Sequence, residues 1–409
     1  MSQPQRRLGR LRPDSRGDRV FVAASALLAL HFVAVGGVLW LPATVVIGTA
    51  VVVLYLNRGR AVRTLLCAIL GLLALGDGLA VHLAHALLRE PRPADVTGIA
   101  AALAGIALVA LAYRNALRGR GWRAKILAVP VTLVVLQWYA LPVLTAALAT
   151  NAGQPDIPPA AELRLDGARD VSFPAQDGVR LSGWYVPGSG GAAVVLMHGS
   201  HGSRKSTRGH LRRLAAAGYG VLAFDARGHG QSAGQTNALG WQGTADVAGA
   251  VAFLSRQPDV DARRIAAVGL SMGGEEALRA ASAGVPLAAV VADGAGASTV
   301  ADSQLISDSP ISSSITWLSM RATELFSGDG EPAALKDIVK RIDVPVLLVA
   351  SNAAHERAID ALYRDEIADA ELWYVDDAGH TDALDVHPAR YAGRVNAFLA
   401  NALRASRQQ

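Results

Sequence analysis

The sequence predicts an α/β domain, a doubly wound and mostly parallel sheet of eight strands, preceded by an all-α membrane region. Three observations carry this. Residues 20–150 hold long apolar runs without charge, whereas the remainder has the composition of a water-soluble domain. From residue 162 short apolar runs alternate with amphipathic segments, the pattern of strands joined by helices. Finally, Gly269-Leu270-Ser271-Met272-Gly273 lies where one such run, Arg264–Val268, passes into a helix-forming segment, Glu275–Ala281.

The 409 residues exceed the usual length of one domain, and charge divides them. Up to Lys125 there are 16 Lys/Arg and 5 Asp/Glu; the remainder carries 23 and 29. The basic excess therefore flanks the apolar runs and does not form a nucleic-acid surface. Residues 1–19 form a basic tail with six arginines and no cleavage pattern, so the first span is expected to be retained. The charge-free run Val20–Leu56 is long enough for two short spans, parted near Gly36-Gly37 or Leu41-Pro42. Leu65–Leu88, Gly98–Tyr113 and Ile126–Leu148 complete about five spans within residues 20–150. Arg58, Arg60 and Arg63 make the second loop basic, and Arg114, Arg118, Arg120, Arg123 and Lys125 the fourth; the loop Arg89–Asp95 is neutral. The bias of basic loops toward the cytoplasm then places everything after Leu148 outside, and a count of four spans would reverse this. Asp77, His82 and His85 are ionisable residues in or near the bilayer, expected as a helix-pairing aspartate and two interfacial histidines, with no matching polar line on a second span. Trp122, Trp138 and Tyr139 are expected as interface anchors. Cys67 is the single cysteine, so there is no disulfide framework, thiol nucleophile or metal-ligand cluster to argue from.

Residues 151–161, with Gly153, Pro155, Pro158 and Pro159, read as a linker. In the domain that follows, residues 162–405, the candidate strands are Leu163–Phe173, Val179–Val186, Ala192–Met197, Val221–Phe224, Ile265–Val268, Leu287–Ala292, Val344–Ala350 and Leu372–Val375. Helices are expected over Ser203–Ala217, Thr244–Arg256, Glu275–Ala283, His355–Ala368 and Pro388–Leu403. An initial antiparallel pair followed by β-α alternation implies a parallel sheet with its chemistry at the carboxyl ends of the strands.

Four motifs fall at those ends. A serine on a tight strand-to-helix turn needs glycine two positions before and after it, as at Gly269 and Gly273, and the following helix aims its amides at a developing oxyanion. His198-Gly199-Ser200-His201-Gly202 follows the third strand; the amide of Ser200, or of His201, is expected to complete an oxyanion hole with that of Met272. Asp225–Ser232 follows the fourth strand and reads as scaffold. Gly379-His380-Thr381 follows the last strand and offers His380 as a general base for Ser271.

With these motifs in this order, residues 162–403 resemble the α/β-hydrolase superfamily, in particular its esterase, serine aminopeptidase and monoglyceride-lipase-like members. The resemblance implies the fold, a Ser-His-acid triad, an acyl-enzyme intermediate, and a cap at residues 297–341, where Ile311–Phe326 is apolar enough to line an acyl pocket or simply to pack. It implies an acid after the strand Val344–Ala350, often within G-x-x-D, but this chain reads Ser351-Asn352-Ala353-Ala354-His355-Glu356, with alanine at the expected position. Glu356 is then favoured as the acid and Asp293 is the alternative; Asp360 is expected to be solvated. The expectation is a membrane-anchored serine hydrolase acting on a small acyl or ester substrate, including one of lipid or cell-envelope origin, without metal or organic cofactor. An acyltransferase with the same triad is one alternative. The others are a non-catalytic binding or sensory module on this fold and, without repeats to support it, a transporter with an attached domain.

Overall fold

A computed structural model describes residues 15–36, 41–88, 91–153, 155–307 and 309–406. The chain divides into two units, residues 1–147 and 148–409. The basic tail before residue 15, Gly37 of the expected first turn and Arg89 lie outside the described residues.

The first unit is all helix: α1 (Arg16–Gly36), α2 (Leu41–Asn57), α3 (Arg60–Asp77), a π-helical segment Gly78–Leu83, α4 (Ala84–Leu88), α5 (Pro93–Leu117) and α6 (Trp122–Thr150). Four stretches among the described residues, Arg16–Val35, Arg60–Leu87, Pro93–Leu117 and Trp122–Thr150, are long and apolar enough to cross a membrane. The helix α2, with 17 residues, reaches roughly 25 Å at 1.5 Å per residue. Leu30, Phe32, Val46, Ile47, Leu73, Leu127 and Leu133 are among many large apolar side chains left outward on these helices.

Two expectations for this unit need correction. A polar line does run across several helices: His31 of α1 reaches Asp77 at 2.8 Å and Thr97 of α5 at 3.1 Å. His82 is buried and bonds Asp95 of α5 at 3.0 Å, which extends that line. Tyr139 turns inward and donates its hydroxyl to the Leu72 carbonyl of α3. These partners lie on helices remote in sequence, which single-span hydropathy does not register. Trp122, by contrast, is 67% exposed.

The second unit is an eight-stranded sheet in the order β1-β2-β4-β3-β5-β6-β7-β8. Its strands are β1 (Arg169–Pro174), β2 (Arg180–Val186), β3 (Gly191–Met197), β4 (Gly220–Asp225), β5 (Val260–Leu270), β6 (Ala289–Asp293), β7 (Val346–Ala350) and β8 (Ala370–Tyr374). The pairs β1–β2 and β2–β4 are antiparallel and the others parallel. The first strand begins six residues later than its apolar pattern suggested. Asp166 and Gly167 break it, Gly167 at φ +69°, and Leu163 instead ends a 3₁₀ turn packed on the core. Ile157 and Ala160 of the linker pack there too, so its second half belongs to the domain.

Side chains of β3 show why the sheet is doubly wound. Ala193, Val195 and Met197 face one core with α8 (Gly243–Leu254), α9 (Met272–Ser282) and α13 (Ala354–Glu366). Val194 and Leu196 face the other with α7 (Arg208–Ala216) and α15 (Pro388–Ala405). A strand buried on both faces has no polar side to show, hence its unbroken apolar run. The short helices α10 (Val300–Ser303), α12 (Leu335–Ile338) and α14 (Ala383–Val386) and the longer α11 (Pro310–Ser327) fill the remaining connections. In α11 Met320 is buried, while Ile311, Trp317 and Leu325 stand half exposed or more. The chain runs from β3 to β4 on one side and returns to β5 on the other, so connections leave β3 and β5 in opposite directions. That opens a crevice at their carboxyl ends.

Candidate active site

Ser271 sits in that crevice, between β5 and α9, with φ +52° and ψ −118°. A serine in this region is strained, and the surrounding structure must hold it there. Two hydrogen bonds and a close packing do so. The Ser271 N–H donates to the Asp293 carbonyl at 2.7 Å, and the Ser271 carbonyl accepts from Gly274 N–H at 2.8 Å. At Gly269 a Cβ would fall 2.1 Å from the Gly273 carbonyl oxygen, so the turn closes only with glycine there. The turn after β3 passes directly over the serine, since a Cβ on Gly199 would lie 3.8 Å from Ser271 Oγ. Met272 opens α9, where an amide has no intrahelical acceptor. His201, at φ +57°, follows Ser200, whose hydroxyl is spent on the Ala238 carbonyl.

His380 comes from the loop after β8, and its Nε2 lies 2.9 Å from Ser271 Oγ. Its Nδ1 lies 2.5 Å from Glu356 Oε1. Glu356 is on the first turn of α13, almost wholly buried, and its second oxygen accepts from the Ser351 N–H at 3.0 Å. Burial pushes the Glu356 carboxyl up, but the hydrogen bonds from His380 and Ser351 outweigh it and hold the group at about 2. The same contact with Glu356, partly offset by burial, raises His380 above its usual value. Ser271, His380 and Glu356 thus stand in series across three strand ends.

Asp293 is near but outside this series. Its side chain is buried; burial, opposed by the Tyr391 hydroxyl and reinforced by the Glu356 charge, pushes its carboxyl up to about 7. Its role here is the main-chain bond to Ser271. Asp360, expected to be solvated, is fully buried with both carboxylate oxygens unpaired, and burial pushes it well above the carboxylate range. The amphipathic pattern of α13 places it one turn after Glu356 on the inward face, which a reading from the helix start alone missed.

The Asp225–Ser232 turn is tied down on all sides. Asp225 pairs with the buried Arg204 and accepts from its N–H at 2.7 Å, Arg227 pairs with Asp246 at 2.6 Å, and Ala226 N–H donates to His198 Nε2 at 3.0 Å. Through His198 this network fixes the start of the turn over Ser271.

Two residues that sequence reasoning passed over shape the site. Gly294, at φ +69°, leaves room for the His380 ring; a Cβ there would lie 3.0 Å from Cε1. Ser351 supplies the amide that pins Glu356. The glycine following a strand-end aspartate was a visible signal, whereas a main-chain donor carries none. Beside the series is a cavity of about 340 Å³, lined by Ser200, His201, Leu270, Thr381, Asp382 and Asp385 among others.

Comparison with known proteins gives relatives at several levels. The chain is 39% identical over 136 residues to the uncharacterized protein Rv2307c of Mycobacterium tuberculosis, covering 32% of this chain and 48% of that protein, about half its length. It is 29% identical over 248 residues to the uncharacterized protein YfhR of Escherichia coli, covering 58% of this chain and 82% of that protein. Similar solved structures include an esterase of Pyrococcus furiosus, Pf2001, at 26% identity and TM-score 0.48, covering 61% of this chain and 97% of that one. The α/β hydrolase GrgF of a Penicillium species has 20% identity and TM-score 0.47, covering 58% and 99%. Residues 177–390, just over half of the chain, match the family described as X-Pro dipeptidyl-peptidase (S15 family), and the chain belongs to this family of serine hydrolases within the α/β-hydrolase fold.

Proposed function

We propose that the protein is a membrane-anchored serine hydrolase that cleaves a carboxylic ester or related acyl bond through an acyl-enzyme. The observation that carries this reading is the series Ser271 Oγ, His380 and Glu356, at 2.9 and 2.5 Å. His380 Nε2 takes the Ser271 proton as Oγ attacks the carbonyl carbon, and Glu356 holds Nδ1–H and stabilises the imidazolium. The amides of Met272 and of Ser200, or of His201, receive the oxyanion. His380 then returns the proton to the leaving group, and water repeats the sequence to release the acid. The four long apolar helices support anchoring; with α2 (Leu41–Asn57) crossing as a fifth span, the basic loops Arg58–Arg63 and Arg114–Lys125 support a catalytic domain outside the cytoplasm.

A peptidase reading has one observation of its own besides the family match. Asp382 and Asp385 line the cavity beside Ser271 and would attract the ammonium group of a peptide N-terminus. Hydrolysis of p-nitrophenyl butyrate and of Ala-Pro-p-nitroanilide by the full chain in detergent separates the two. Ester turnover lost in Ser271→Ala, with the anilide inert, is the expected result. Anilide turnover that falls at least tenfold in Asp382→Asn/Asp385→Asn supports the peptidase, and turnover of neither substrate by folded protein overturns both.

A further inference from the structure

The polar line in the helical unit has the features of a metal site. His31 Nε2, Asp77 Oδ2 and His82 Nε2 converge from α1, the end of α3 and the π-helical segment, all within 4.8 Å of one another. Individually, Asp77 Oδ2 lies 2.8 Å from His31 Nε2 and 3.9 Å from His82 Nε2. Ligand atoms around a tetrahedral ion with bonds of about 2.1 Å stand roughly 3.4 Å apart, so small side-chain rotations close the set.

Further observations show that the set is built. The Thr97 hydroxyl donates to the Ala94 carbonyl, so towards His31 Nδ1 it acts as an acceptor and that nitrogen carries a proton. His82 Nδ1 faces the Asp95 carboxylate, which places its proton there as well. Both Nε2 atoms are thereby turned to the common carboxylate of Asp77, each ring oriented from behind by an oxygen acceptor as metal-binding histidines are. The two rings meet edge to face with centroids 4.8 Å apart. Lastly, His82 rides on a π-helical segment, a local widening that often accompanies function. Its ring fits only because residue 98 is glycine: a Cβ on Gly98 would fall 2.1 Å from His82 Cγ.

We propose that His31 Nε2, His82 Nε2 and the Asp77 carboxylate bind a divalent transition-metal ion of the Zn²⁺ class, with a fourth coordination position open. Two imidazoles and one carboxylate suit this class over Mg²⁺ or Ca²⁺, which prefer all-oxygen sets. Asp77 is partly exposed while both histidines are buried, so the open position faces away from the packed side of the rings.

The test uses the full chain in detergent, stripped with chelator and titrated with Co²⁺, reading metal content and the visible absorption of the bound ion. One Co²⁺ per chain is expected in the wild type, displaced by Zn²⁺. Affinity should fall at least a hundredfold in His31→Gln, Asp77→Asn and His82→Gln, and roughly tenfold or more in Thr97→Val, which keeps every ligand and removes only an orienting acceptor. Ser271→Ala should bind as wild type does. Helicity and monodispersity are followed in each variant. Binding by the triple ligand variant equal to wild type, or no stoichiometric uptake by helical, monodisperse wild type, would overturn the assignment. Should a ligand variant fail to fold, Thr97→Val decides: unaltered affinity there counts against the site.

Discussion

Replacing Glu356 by glutamine leaves shape almost unchanged and alters only which atoms accept protons. In the native site both carboxylate oxygens face donors, His380 Nδ1 at 2.5 Å and the Ser351 amide at 3.0 Å. An amide side chain has one acceptor oxygen and cannot serve both. The Ser351 N–H is fixed main chain and can only donate, so the glutamine oxygen must turn to it and the NH₂ group to His380. The imidazole then accepts at Nδ1 and carries its proton on Nε2, which faces Ser271 Oγ and can no longer act as base. In serine proteases this tautomer error costs about 10⁴ in rate, or about 5.5 kcal/mol of transition-state stabilisation. Ester hydrolysis by the full chain at pH 8 should show a loss of this order in kcat with KM little altered. Glu356→Ala, which imposes no tautomer, should lose less. A Glu356→Gln enzyme within tenfold of wild type would refute the role assigned to Glu356 and return Asp293 to consideration.

Other outcomes follow from the same contacts. His380 must be neutral to accept the serine proton and its affinity for protons is raised, so kcat/KM should fall with decreasing pH through a value above 6.5. Because Glu356 is the main cause of that rise, the residual activity of Glu356→Ala should show this limb at lower pH; an unmoved limb argues against the pairing. Asp293, at about 7 against an ordinary 3.8, favours the folded state while protonated, and that stability is lost as pH rises from about 4 through 7. Asp293→Asn should therefore raise Tm at pH 8, by up to about 4 kcal/mol in stability, and flatten Tm between pH 5 and 8; a variant with the wild-type slope would show that the buried carboxyl does not titrate there. If the hydrolase domain is outside the cytoplasm, protease added to intact spheroplasts should cut it, and protection until lysis would reverse the orientation.

Much of the sheet was legible because burial on both faces leaves an unmistakable apolar run, as in Ala192–Met197, and because turns such as Gly269–Gly273 need particular residues. The positions of Ser271 and His380 followed from strand ends. The partner of His380 was harder. A carboxylate on the first turn of α13 depends on how that helix leaves β7, which no local pattern encodes, and Asp293 and Glu356 are equally acidic in sequence. Asp360 shows the converse: charge suggested solvent, yet the helix face decided its burial. In the helical unit His31 and Asp77 are 46 positions apart and meet only through helix packing, which hydropathy does not report.

The most direct measurement is labelling of the detergent-solubilised full chain with a fluorophosphonate, followed by mapping of the modified peptide. The account predicts a single phosphonyl adduct on Ser271, absent in Ser271→Ala and formed at least a hundredfold more slowly in His380→Ala. Absence of any adduct on protein whose sheet is shown intact by circular dichroism, or an adduct on another residue, would contradict it.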